Sequence, residues 1–496
     1  MRGVFCERAG KLRGTAIIAT VTLLAGVLSA GAAAASAASP VVTPVSGGSG
    51  VPQPPNLNGF DLGQVGYEQS EFFLSGTAHA YAPSSGPLTT DGKWTVAPSA
   101  SALYETRAVV YRPTDPTRFN GTVIVEWLNV SGGVDADPDW TLTHNELIRD
   151  GFAWVGISAQ AVGVSALKSE DPVRYASLLH PGDSFSYDIF SQGGQAVRDS
   201  AALMLSGLKP QRLIAAGESQ SAARMVTYID AVHPLVHVYD GFLVHSRAGT
   251  GSPLSQAPQS EVDTPNPTMI RNDLDVPVFV FETETDVLFS NTNDRQQNTD
   301  RFRLWEVAGS SHFDYYGLSI GPTDTGNGQG AVLDLAAMQN PPRTVPPIFT
   351  CNLPINTAGT HWVLNAAVYW LNRWVAAGTA PPTAPNLNVV STSPVVFAHD
   401  ANGNVLGGVR SPQVDAPIAT LGGVDNGGTG GLSRFCILFG TTSPFTPSHL
   451  AALYPNHGRF VSQWSRAANR AVKAGYLLPA DAEELTNSAA MSDIGR

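Results

Sequence analysis

Charge, lysine and cysteine are all scarce in this sequence. Charged residues make up 14% of the 496 positions against 43% hydrophobic, and a disordered chain would show the reverse balance. Lysine occurs only five times, and 29 Lys+Arg face 41 Asp+Glu for a net charge of −12. That balance excludes nucleic acid and other polyanions as partners, because such binding depends on Lys and Arg neutralising phosphates. The three cysteines form no CxxC pair, so a zinc ribbon or thiol-redox centre is not indicated. There is no internal repeat, which removes solenoids and propellers. Glycine and proline are plentiful at 49 and 36, a loop-rich content that is neither collagen-like nor of low complexity.

The first 38 residues differ from the rest. Arg2, Arg8, Lys11 and Arg13 precede an uncharged apolar stretch from Thr15 to about Ala35, followed by Ala-x-Ala options around Ala35 to Ala38. This pattern predicts a secretory signal peptide. The alternative is an uncleaved membrane anchor, since the run approaches a bilayer span. With the leader removed, no stable membrane span is expected and the charge becomes −15. Residues 39–59 are Ser, Gly, Pro and Val without charge and read as a flexible lead-in, with folding expected to begin near Phe60. Cys351 and Cys436 are then the remaining cysteines, an even pair that points to one disulfide in an exported protein. On the chain-entropy picture it would contribute about 4 kcal/mol.

From Phe60 to about residue 312, short β-branched and aromatic runs alternate with helix-like segments. The runs are 107–111, 122–127, 152–158, 212–217, 238–244, 276–281 and 302–307. Several are apolar almost throughout, as strands covered on both faces are. Helices are predicted over 140–149, 195–205, 220–231 and 361–377. The alternation implies an α/β fold with a mostly parallel central sheet and helices on both faces. Its catalytic domain would span 60–378, with long insertions at about 159–194 and 247–275. A C-terminal mixed extension, 379–496, would include a hairpin pairing 395–399 with 405–409. Ligands of such sheets sit beyond the carboxyl ends of the strands, so the chemistry is sought there.

The sharpest motif is Gly217-Glu218-Ser219-Gln220-Ser221, directly after one predicted strand and before a helix. So tight a strand-to-helix turn exposes the middle hydroxyl, and its flanking places must be small. Gly217 meets that need; Ser221 departs from the usual Gly. A serine nucleophile needs a base, and the base needs an orienting acid. Glu282-Thr283-Glu284-Thr285-Asp286 follows the strand 276–281, and His312 follows the strand 302–307, in the order Ser, acid, His. Asp286 is the preferred acid, with Glu284 and then Glu282 as alternatives, and His245, also at a strand end, is the rival base. The backbone amide of Gln220 is the expected first oxyanion donor, and the loop 128–133 the source of the second, with Asn129 chosen.

Two further patterns have the spacing of metal sites. Asp135, Asp137, Asp139 and Glu146 fall at calcium-loop spacing, but Trp140 occupies the place that must be Gly, so a polar loop is preferred. His233 and His237 have metal-like spacing, but Pro234 lies between them and no third ligand is evident. Neither a metal nor a cofactor is expected.

These residues resemble the α/β-hydrolase superfamily. More narrowly, the blocks Glu126–Gly133, His180–Asp188, Gly217–Ala222, Val363–Ala367 and Gly440–Phe445 resemble a bacterial family of exported or periplasmic α/β-hydrolase domain proteins. The resemblance implies ester hydrolysis, with Ser219 as nucleophile, Asp286 as orienting acid and His312 as base. It also implies that Phe185 and Tyr187 line the substrate pocket. The expected protein is therefore an exported serine hydrolase acting on small-molecule or lipid-like esters. Its alternatives are an acyltransferase on the same residues and a non-catalytic binding protein that keeps the fold.

Overall fold

The computed structural model describes residues 37–50, 60–290 and 292–496. All but the last two residues of the expected leader, and positions 51–59 of the lead-in, lie outside the described residues. Nine strands form the central sheet: β1 (Val41–Pro44), β2 (Tyr67–Pro83), β3 (Val96–Pro113), β4 (Thr122–Trp127), β5 (Ala153–Ile157), β6 (Arg212–Glu218), β7 (Gly241–His245), β8 (Val278–Thr283) and β9 (Phe302–Val307). Their order is β1-β2-β3-β5-β4-β6-β7-β8-β9. The first three strands join antiparallel, and β5-β4-β6-β7-β8-β9 is one parallel block.

The parallel strands are buried along nearly their whole length because side chains of both parities meet a helical layer. Val123, Val125 and Trp127 face one layer, which holds Ile189, Phe190, Val197, Ala222 and Met225. Ile124 faces the other, with Trp140, Leu147, Val363, Leu364 and Leu371. The first layer comes from helices Ser186–Asp199 and Gln220–Thr227, and the second from Pro138–Arg149 and His361–Ala377. Gly378 stops the last of these in the left-handed conformation.

Several local expectations are corrected. Residues 41–44 of the lead-in are an edge strand, paired antiparallel from Val41 opposite Ser75 to Pro44 opposite Phe72; their β-branched valines prevail over the surrounding Ser, Gly and Pro. The long β2–β3 ribbon was largely unforeseen, since its Ala, Ser and Gly carry little hydrophobic signal. The helix predicted at 195–205 runs instead from Ser186 to Asp199, followed by one turn at Ala201–Met204. The segment 159–194 also holds a helix at Ala161–Glu170. The predicted hairpin keeps its turn, with a single His399–Val405 bridge, but 395–397 pairs with 389–392. Val409 goes instead to β9, where it bridges Val307.

That last contact is one of several by which residues after Gly378 are fastened to those before it. The Val409 amide donates to the Glu306 carbonyl at 2.7 Å, and Ala308 N–H donates to the Val409 carbonyl at 2.9 Å. A Cys351–Cys436 disulfide closes a separation of 85 residues with its Cα atoms 5.5 Å apart. Another tie is the buried carboxylate of Glu284, which accepts from Gly309 N–H at 2.5 Å and from Gly423 N–H at 2.8 Å. Replacing Glu284 by Ala strands both amides without an acceptor. The expected cost is about 2–4 kcal/mol, read as a fall in Tm of several degrees and earlier proteolysis within 379–496; an unchanged melting curve would show that the tie contributes nothing.

Candidate active site

β6 ends at Glu218, and Ser219 then adopts φ 58°, ψ −116° before the helix Gln220–Thr227 begins. A non-glycine residue at positive φ is strained, and several contacts hold it. Ser219 N–H donates to the His245 carbonyl at 2.9 Å. The Ser221 hydroxyl accepts from Glu218 N–H at 3.1 Å and donates to the Glu218 carbonyl at 2.8 Å. The departure at Ser221 thus has a physical reason: its hydroxyl ties the turn together. Gly217 has to be small, because a Cβ there would meet the Ser221 carbonyl oxygen at 3.0 Å.

The hydroxyl of Ser219 lies 2.7 Å from His312 Nε2, and His312 Nδ1 lies 2.5 Å from Asp286 Oδ1. His312 follows β9, and its own N–H donates to Thr285 Oγ1 at 3.1 Å. Asp286 sits in the first turn of the helix Glu284–Ser290. Its second oxygen accepts from the Thr283 amide at 2.7 Å and the Thr283 hydroxyl at 2.6 Å. Burial pushes the Asp286 carboxyl up, but the His312 charge and the hydrogen bonds from His312 and Thr283 outweigh it and leave the acid below its ordinary range. For His312, burial alone would lower the pKa; the Asp286 and Glu218 carboxylates reverse this and push it up to about 9.

Glu218 is a component that sequence reasoning passed over. Its Oε1 lies 3.3 Å from His312 Nε2, the nitrogen that faces Ser219. Its other oxygen accepts from Asn129 Nδ2 at 3.1 Å. Burial raises the Glu218 pKa to about 7 against the pull of His312 and His245. Its position directly before Ser219 in the motif was the available signal.

The structure separates the other acids and histidines from this group. The Glu284 carboxylate is occupied by the glycine amides described above, and neither carboxyl oxygen of buried Glu282 has a hydrogen-bond partner among the described residues. His245 is fully buried with Nδ1 2.8 Å from Asp139, and only its carbonyl reaches Ser219. The calcium-like acids diverge: Asp135 pairs with Arg107 at 3.0 Å, Asp139 with His245, and Glu146 with Arg149 at 2.6 Å. Asp275 comes within 4.0 Å of His237 Nδ1, completing a His233–His237–Asp275 group that the sequence spacing did not reveal. His237 and Asp275 precede β7 and β8, so that group lies at the opposite end of the parallel strands from Ser219.

Two site expectations are corrected. The Asn129 amide is already committed to the Ala136 carbonyl at 2.9 Å, and the Asn129 side chain is spent on Glu218. Ser131 N–H is taken by Asn129 Oδ1 at 2.8 Å, whereas Val130 N–H has only a long 3.4 Å contact to Gln220 Oε1. The Gln220 amide opens its helix, where no intrahelical acceptor exists. Phe185 and Tyr187 do not line the cavity at Ser219. Both are core residues, and the Tyr187 hydroxyl is spent on the Pro253 carbonyl at 2.7 Å.

Their block supports the helix Gln220–Thr227 instead. Asp183 accepts from Gln160 Nε2 and pairs with Arg224 on that helix, each at 3.2 Å. Gln160 Oε1 in turn accepts from Trp127 Nε1 at 3.0 Å and Gln220 Nε2 at 2.9 Å.

Ser219 and His312 open into a cavity of about 210 Å³ whose other walls are mostly apolar, including Phe313, Leu318, Phe349, Phe435 and Phe439. A hydroxyl, an imidazole and a buried carboxylate in line can generate a nucleophile.

The solved structures similar to this chain include three esterases or hydrolases. One is a rice cell wall degrading esterase, LipA, from Xanthomonas oryzae, at 14% identity and TM-score 0.22, covering 37% of this chain and 43% of its own. Another is a serine hydrolase without lid from Xanthomonas campestris, at 12% identity and TM-score 0.25, covering 41% and 78%. The third is a carboxylesterase from Lactobacillus plantarum, at 15% identity and TM-score 0.24, covering 37% and 68%. The chain thus spans less than half the length of LipA. No curated protein sequence matches. The sequence profile of the alpha/beta hydrolase domain family matches residues 32–487, so the chain belongs to that family.

Proposed function

We propose that this protein is an exported serine hydrolase that cleaves carboxylic esters through an acyl-Ser219 intermediate. The observation that carries the reading is the continuous chain from Ser219 Oγ through His312 to Asp286, at 2.7 and 2.5 Å. His312 Nε2 takes the Ser219 proton as Oγ attacks the ester carbonyl, and Asp286 stabilises the imidazolium. The Gln220 and Val130 amides receive the oxyanion. Collapse expels the alcohol, which leaves with the proton from His312. Water then gives its proton to His312 and attacks the acyl carbon, and release of the acid returns the proton to Ser219. Export is supported by the basic-apolar leader pattern and by the disulfide, which belongs to an oxidising compartment.

A fluorophosphonate probe should label the wild type and not Ser219→Ala, whose kcat on an activated ester should fall at least about 10⁴-fold. Equal labelling of the two proteins overturns the nucleophile assignment. Asp286→Asn should lower kcat by about 10³–10⁴-fold through loss of the correct tautomer and orientation; a fall under tenfold would remove Asp286 from its role.

His312 works as a base only when neutral, and its pKa is pushed up to about 9, so kcat/KM should climb between pH 7 and 9. Glu218→Gln removes one of the two charges that raise it, and the acid limb of the profile should move to lower pH. An unmoved limb would show that Glu218 does not act on His312.

A further inference from the structure

The cavity beside Ser219 is built largely by chain outside the central sheet. Phe435, Leu438 and Phe439 come from one 3-10 stretch at Gly431–Leu438 and the residue after it, and Phe349 from the short strand Phe349–Thr350. The Cys351–Cys436 disulfide joins these two segments in the middle of the wall they form. Phe349 meets Phe439 edge to face at 5.0 Å, and Thr350 N–H donates to Ser433 Oγ at 3.0 Å. The wall is also registered to the base: Phe313, the neighbour of His312, donates its N–H to the Leu438 carbonyl at 3.2 Å.

Two properties of the cavity restrict its occupant. Among the described residues its charged lining is confined to Glu218 and His312, and no Lys or Arg lines it, so with His312 neutral, as a base must be, an anionic arm finds no cation there and faces the Glu218 carboxylate. Its volume of about 210 Å³ equals roughly seven water-sized units, or about six to eight carbon atoms. Resting on the esterase reading above, we infer that the site takes neutral esters with one apolar arm of about six to eight carbons. The stretch 431–439, pinned by the disulfide, sets that length. Each methylene buried in the cavity should raise kcat/KM roughly fourfold until the wall is reached.

The experiment measures kcat/KM on the full chain for two series: p-nitrophenyl esters from acetate to dodecanoate, and alkyl acetates from methyl to decyl. A steep rise to six to eight carbons followed by a fall is expected in one of them, which identifies the arm as acyl or alkoxy. Phe435→Ala should move the optimum to longer chains, and Leu438→Trp to shorter ones. Both are read as ratios within one protein, so partial loss of folded material cancels. Dithiothreitol, or the double variant Cys351→Ser/Cys436→Ser, should flatten the fall beyond eight carbons. Turnover with no length dependence, or an optimum unmoved by both wall variants, overturns this inference and leaves the esterase reading standing. Failure to turn over any ester overturns that reading and this inference with it.

Discussion

The buried hydrogen bond between Asp286 and His312 is the contact on which the remaining geometry depends. An ionised carboxylate out of water is costly unless both of its oxygens find donors. Asp286 meets that requirement with the Thr283 amide, the Thr283 hydroxyl and the His312 ring, and its place in the first turn of a helix adds the favourable end of the helix dipole. These partners sit at the ends of β8 and β9, whereas Ser219 ends β6 two strands from β8. The histidine therefore has to reach back across the end of β7. Thr285 fixes the start of that reach through the His312 amide, and β7 offers the His245 carbonyl to Ser219 rather than its ring.

Chemically similar residues in this region are sorted by what they face. Glu284 and Asp286 lie two residues apart, yet one satisfies the amides of two glycines and the other an imidazole. Glu218 faces His312 Nε2, held by Asn129. A residue type alone would not distinguish the three; the donors brought to each by separate parts of the chain do.

This explains which features were legible in the sequence. The strand, turn and helix around Ser219 are contiguous, so the requirement for small flanking residues could be read directly from Gly217 and Ser221. The placing of an acid and a histidine after two later apolar runs was readable for the same reason, as was the even pair Cys351 and Cys436. What failed depended on distant partners. Asn129 lost its amide to Ala136 in its own loop, a pairing that no spacing rule announces. Tyr187 looked like a pocket aromatic, but its hydroxyl had a buried carbonyl waiting at Pro253. Part of the apolar wall lies more than two hundred residues beyond Ser219, around Cys436, where an aromatic-rich stretch read only as part of a tail. The edge strand 41–44 was hidden by its neighbours, since two valines among Ser and Pro form a strand only when a long β2 is present to receive them.

The division of labour between the sheet and the wall has an evolutionary side. The groups nearest Ser219 are bound into the ends of β6, β8 and β9, where almost any change disturbs several partners at once. The stretch 431–439 packs in its own small cluster with Ile355, Cys351 and Val345, apart from both faces of the sheet. Substitutions there can reshape the recess while the strands and their hydrogen bonds stay as they are. New preferences could thus arise within nine consecutive codons, with the covalent cross-link keeping altered versions of that segment in place.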